Sequence, residues 1–119
     1  MDDIFQLHAA FCRVFSDPKR LRIMWSLQEG EKTVSNLAEI VGCSLPNISQ
    51  HLRIMRQQGM LLTRRQGRSI FYRIANPKFL DGCMMVREGL VEELEKRGVL
   101  STVDEVVAPS EKAASASDG

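Results

Sequence analysis

The sequence predicts a mainly α-helical domain that carries one β-hairpin, and three observations lead there. Apolar residues recur at spacings of three and four through five separate stretches, the signature of amphipathic helices. Two β-rich segments flank a single glycine late in the chain, which reads as a hairpin. Ser, Thr, Asp, Asn, Pro and Gly fall between these stretches, where helices start and stop. With 119 residues, 44% apolar and 26% charged, there is room for one domain with a modest core.

The elements follow in order. Residues 3–15 place Ile4, Leu7, Phe11 and Val14 on one face, with Phe5, His8, Cys12 and Phe15 one step round. Ser16-Asp17-Pro18 stops this helix and starts the next, since Asp caps and Pro suits a first helical turn. The second helix runs to about Leu27 with Leu21, Met24, Trp25 and Leu27 inward, and Glu29-Gly30 closes it. Thr33 caps a short third helix bearing Val34, Leu37, Ile40 and Val41. Gly42-Cys43 makes the turn, Gly42 being free to take a positive φ, and Cys43 reads as structural. Ser44 caps a fourth helix with Leu45, Ile48, Leu52 and Met55 inward, ended by Gln57-Gln58-Gly59.

Leu61–Arg65 and Ser69–Ile74 then flank Gln66-Gly67-Arg68 as the hairpin. Phe71 and Tyr72 must point to opposite faces, and the pattern leaves open which one packs inward. Asn76-Pro77 opens a fifth helix reaching about Arg97. Its apolar positions, Phe79, Leu80, Cys83, Met84, Val86, Leu90, Val91 and Leu94, form a face wider than one small core needs. A partner surface is expected there. Residues 1–100 are expected to form the domain. Residues 101–119, acidic and ending in an Ala/Ser run, read as a flexible tail.

Helices meeting at a glycine turn and followed by a basic hairpin make a winged helix-turn-helix. The charge distribution fits. No acidic residue lies between Glu39 and Asp81, a window holding Arg53, Arg56, Arg64, Arg65, Arg68, Arg73 and Lys78. Such a one-signed window favours an anionic partner, most simply DNA phosphate. With Ile48, Leu52 and Met55 inward, Pro46, Asn47, Gln50 and Arg53 face out. Asn and Gln match the adenine edge in the major groove, and Arg matches guanine. Ser49 and His51 lie at the flanks, suited to phosphate contacts or to packing. Ser44 and the helix N-terminus add donors for phosphate. Arg64, Arg65 and Arg68 crowd the hairpin and repel one another unless an anion compensates, as a DNA backbone or minor groove would.

Other classes fare worse. No Ser/His/Asp set, phosphate-binding glycine loop or carboxylate pair supports an enzyme. A winged helix used only for protein docking is the rival, but it would show apolar anchors where Asn47 and Gln50 stand. The start, Met1-Asp2-Asp3-Ile4-Phe5, is acidic where a secretory leader is basic, and no apolar run nears the roughly 20 residues that span a bilayer. The expectation is a cytoplasmic protein with double-stranded DNA as partner and no membrane. Cys12, Cys43 and Cys83 form no Cys-x-x-Cys motif, and an odd count points to free thiols.

Asp17-Pro18-Lys19-Arg20-Leu21-Arg22-Ile23, Ser44-Leu45-Pro46-Asn47-Ile48-Ser49-Gln50-His51-Leu52 and Gly67-Arg68-Ser69-Ile70-Phe71-Tyr72-Arg73 together resemble the arsenic-repressor (ArsR/SmtB) family of bacterial winged-helix repressors. The resemblance covers residues ~3–97. It implies an α-α-α-α-β-β-α homodimer joined through its first and last helices. It also implies repression from an inverted-repeat operator, relieved by an inducer.

The family's inducer sites can be checked by residue. Its thiolate site needs Cys-x-Cys at the third helix, where this chain has Thr33-Val34-Ser35. Its zinc-type site on the last helix needs Asp-x-His and then His-x-x-Glu. Here Asp81-Gly82-Cys83 matches the opening loosely, and Leu94 and Arg97 occupy the closing positions. Neither site is complete. His8 and Cys12, four apart on the first helix, and Cys83 on the helix that the family packs against it, are the remaining inducer candidates. Three readings stay open: a metal ion held by these residues, a thiol switch of Cys12 and Cys83 with no cofactor, or plain packing.

Overall fold

A computed structural model describes residues 3–98 of the chain; the tail expected over 101–119 lies outside them. The order is α1 (Ile4–Val14), α2 (Pro18–Ser26), a 3-10 turn (Leu27–Glu29), β1 (Lys32–Thr33), α3 (Val34–Val41), α4 (Leu45–Gln57), β2 (Leu61–Gln66), β3 (Ser69–Ile74) and α5 (Pro77–Lys96).

The caps are the expected ones. Asp17 accepts from the Lys19 N–H at 2.8 Å to start α2. Thr33 accepts from the Asn36 N–H at 3.2 Å to start α3. Ser44 accepts from the Asn47 N–H at 3.3 Å to start α4, and Asn76 from the Lys78 N–H at 3.0 Å to start α5. At the head of α1, Asp3 and Gln6 cap each other reciprocally. Gly42 ends α3 at φ 80°, the left-handed value that lets the chain turn into α4 without Cβ strain.

The core gathers Ile23, Met24 and Leu27 with Leu37 and Val41, Ile48, Leu52 and Met55, and Met60 and Leu61. Three residues expected inward lie outside it: Leu21, Trp25 and Leu45. Leu21 is 36% exposed and Leu45 52%. The buried stripe of α2 runs through Ile23 and Met24 and continues to Leu27 of the 3-10 turn, and Leu21 is two steps, about 200°, from Ile23. Leu45 is the first residue of α4, ahead of the buried Ile48, Leu52 and Met55. Trp25 is half-buried, with the Arg87 guanidinium 4.0 Å from its ring centre.

β1 was not expected. Two residues carry no periodicity, and the strand exists through a distant pairing, Lys32 opposite Tyr72 and Thr33 opposite Phe71. The antiparallel sheet has the order β1-β3-β2. Opposed residues share a face, so Leu61, Thr63 and Arg65 lie with Ile74, Tyr72 and Ile70. Tyr72 and Ile74 pack on the core. Tyr72 is thus the inward ring, and Phe71 turns outward on the face of Arg64.

α5 contrasts with every other helix: none of its 20 residues is buried. It meets α1 through Phe11 and Phe79, whose ring centres are 4.6 Å apart. Among the described residues, no helix is long and apolar enough to cross a membrane.

Candidate nucleic-acid interface

Burial of Ile48, Leu52 and Met55 fixes the roll of α4 about its axis. Pro46, Asn47, Ser49, Gln50 and Arg53 are accordingly exposed, as the helical period requires. Ser44 is exposed as well, its Oγ engaged in the cap. The outer surface of α4 is polar apart from Leu45 and Pro46 in its first turn.

His51 takes the packing role that its flank position allowed. Its Nδ1 accepts from the Arg20 Nε at 3.1 Å, and its Nε2 lies 4.0 Å from the Asp17 carboxylate with the ring 12% exposed. Arg20 also donates to the Val14 carbonyl at 3.2 Å. The contacts with His51 pin the start of α2 to the middle of α4, and the Val14 bond ties it to the end of α1.

An open groove of about 570 Å³ runs between those helices, with Asn47 and Gln50 on one side and Lys19 and Arg22 on the other. The α2 cations escaped the sequence reading because Asp17, Glu29 and Glu31 surround them in the chain and mask their excess. The Asp-Pro-Lys-Arg-Leu-Arg run was a signal that could have found them.

The hairpin arginines separate into two kinds. Arg65 and Arg68 are exposed and form no ion pair among the described residues. Arg64 is exposed too, but its guanidinium is engaged by other groups of the same chain. Its Nε donates to both Glu31 carboxylate oxygens at 2.8 and 2.9 Å, and its Nη2 makes a further short contact with Glu31. Its Nη1 donates to the Gln66 side chain at 2.7 Å, and its guanidinium lies 4.5 Å from the Phe71 ring centre. Hydrogen bonding from Arg64, then the charges of Arg64 and Arg73, hold the Glu31 carboxyl below the usual carboxylate range. The anion that relieves arginine crowding is therefore in part the protein's own.

At the α1–α5 side, Cys12 is exposed and Cys83 half-buried. Burial pushes the Cys83 thiol up, and the neighbouring Cys12 adds to that. Among the described residues, no three His, Cys, Asp or Glu side chains converge on a point that could hold a metal ion. The His8, Cys12 and Cys83 set is not assembled within one chain.

Known proteins share this fold. Residues 17–62 match the family model for bacterial regulatory proteins of the arsR family. The transcriptional regulator KmtR of Mycobacterium tuberculosis is 41% identical over 75 residues, covering 63% of this chain and 58% of KmtR. The uncharacterized HTH-type regulator Rv0081 of the same organism is 31% identical over 97 residues, 81% of this chain and 85% of Rv0081. The Rv0081 crystal structure superposes with a TM-score of 0.73, covering 82% of this chain and 98% of that one. A solution structure of the homodimeric winged helix-turn-helix domain of Mb0332 from Mycobacterium bovis also gives 0.73, at 27% identity, over 78% and 86% of the two chains. By its fold and these matches, this chain belongs to the arsR family of bacterial regulatory proteins.

Proposed function

We propose that the protein is a transcriptional repressor that works as a cytoplasmic homodimer, occupies an inverted-repeat operator on double-stranded DNA and leaves it when an inducer binds. The exposed amide side of α4 carries the reading: Asn47 and Gln50 stand opposite a fully buried stripe and beside two cations. Bidentate amides read base edges, and flanking cations hold phosphates without reading sequence. Ser44, Pro46, Ser49 and Arg53 complete the α4 contact surface, with Arg65 and Arg68 of the hairpin reaching the backbone or minor groove. The relatives bear the names of transcriptional regulators, which supports regulation over catalysis.

The test is binding to an operator selected from random duplexes. Gln50→Ala costs about 1–3 kcal/mol on the selected site and little on random duplex, whereas Arg68→Ala weakens both alike. If both variants bind the selected site as tightly as the wild type, a protein-docking role replaces this one.

Pairing rests on a separate observation. Ile4, Phe5 and Leu7 of α1 and Met85, Val86 and Leu90 of α5 are 52–79% exposed. Large apolar groups clustered on two adjoining helices are a surface that a second copy covers.

Induction through Cys12 and Cys83 is favoured by their placement on those helices, where a thiol change alters the pairing surface. A coupling of ~1–3 kcal/mol changes operator affinity 5–150-fold. The double variant Cys12→Ser/Cys83→Ser loses the response. Unchanged induction in cells returns both thiols to packing.

A further inference from the structure

We infer that the groove between α2 and α4 is a channel for the DNA backbone, with Lys19 and Arg22 as its phosphate ligands. The inference rests on the DNA-binding reading above and extends the contact surface to a helix which that reading leaves out.

The groove's charges are already sorted by use. Asp17, the carboxylate lining it, accepts from the Lys19 N–H and lies against His51. Arg20 spends its Nε and Nη1 donors on His51 and the Val14 carbonyl. Lys19 and Arg22 remain, with no ion pair among the described residues. They are three apart on α2, so they share a face. Two uncompensated cations thus meet the same groove as the amides of Asn47 and Gln50.

DNA geometry supplies the ligand. A helix with its side chains is roughly 10–12 Å across, and the major groove is roughly 12 Å wide. A helix seated there leaves little space at its flanks, so the bordering phosphates pass within side-chain reach of whatever packs beside it. Beside α4 that is the start of α2, and the Arg20–His51 bond fixes how far apart the two helices stand. Such contacts position the protein and carry no sequence information.

The experiment compares the full-length wild type with Lys19→Ala/Arg22→Ala on a selected operator and on random duplex across a salt series. The double variant should bind both DNAs roughly tenfold more weakly at low salt with its order of preferred sequences unchanged. Its log affinity should fall less steeply with log salt, by about 0.9 for each phosphate that is no longer neutralised. Lys19→Arg/Arg22→Lys should restore the steeper slope, and Lys19→Gln/Arg22→Gln gives the same reading should the alanine pair fail to fold. A wild type that binds neither DNA overturns the DNA reading itself. A wild type that binds, with a double variant matching it in affinity and slope, overturns this inference alone. Inorganic phosphate separates a second source of the same chemistry. Saturable phosphate binding that the alanine pair abolishes while DNA affinity stays unchanged would make the groove a small-anion site and overturn the channel.

Discussion

α4 and α5 are both long, capped by a polar residue and followed by a partly exposed surface, yet they expose opposite chemistry. α4 buries Ile48, Leu52 and Met55 completely and turns amides, a serine and arginines to solvent. α5 buries nothing and leaves Met85, Val86 and Leu90 at 60–68% exposure. Exposure alone therefore says little about a helix. A polar outer face beside cations suits a polyanion, and an apolar outer face suits a second apolar face. α4 is packed by its own chain, whereas α5 keeps the apolar surface on which the proposed pairing rests.

That contrast can be attacked first at its best-buried point. Leu52→Ala removes a side chain with no exposure and should cost about 2–5 kcal/mol in denaturant unfolding. A cost under ~1 kcal/mol would mean that α4 is not the core helix described.

The second attack is on α5. If α5 forms the proposed pairing surface, the wild type should sediment as a dimer and Leu90→Asp as a folded monomer at the same concentration, because a carboxylate would be buried unpaired across that surface. A variant that stays dimeric moves the interface elsewhere.

Smaller effects sharpen the DNA side. Glu31→Gln frees Arg64 from its carboxylate, so affinity for random duplex should rise severalfold and the salt slope should steepen by about 0.9. Arg64→Ala alone should change little, and Glu31→Gln/Arg64→Ala should return to the wild-type value. Weaker binding by Glu31→Gln would mean that the ion pair braces the wing for DNA instead of holding Arg64 back.

The smallest effect concerns the thiols. A raised pKa means less thiolate at a given pH, so near neutrality, in the monomeric Leu90→Asp variant, the exposed Cys12 should be alkylated before Cys83. The gap should narrow as pH rises through the Cys83 value. Mass spectrometry of a timed alkylation reads the order, and Cys83 reacting first would contradict the described packing.

Much of this was legible in the chain because it is local. Each cap is a short polar side chain one position before an apolar-periodic run, and a single-residue rule finds it. The amide face of α4 follows from the 3.6-residue period once Ile48, Leu52 and Met55 are placed inside. What escaped depends on partners distant in sequence. β1 exists because Thr33 meets Phe71, 38 positions on. Arg64 is neutralised by Glu31, 33 positions away. His51 packs on Arg20, 31 positions away, which turns a flank residue into a strut.

By itself the sequence determined the five helices and the hairpin, the turn at Gly42, the polar side of α4 and the family, since periodicity, capping and motif act over a few residues. Only the tertiary structure decided that Tyr72 rather than Phe71 faces the core, that Arg64 belongs to Glu31, and that Lys19 and Arg22 stand beside Asn47 and Gln50. Those are questions of which surfaces meet, and meeting is set by packing the whole core at once rather than by any one stretch of chain.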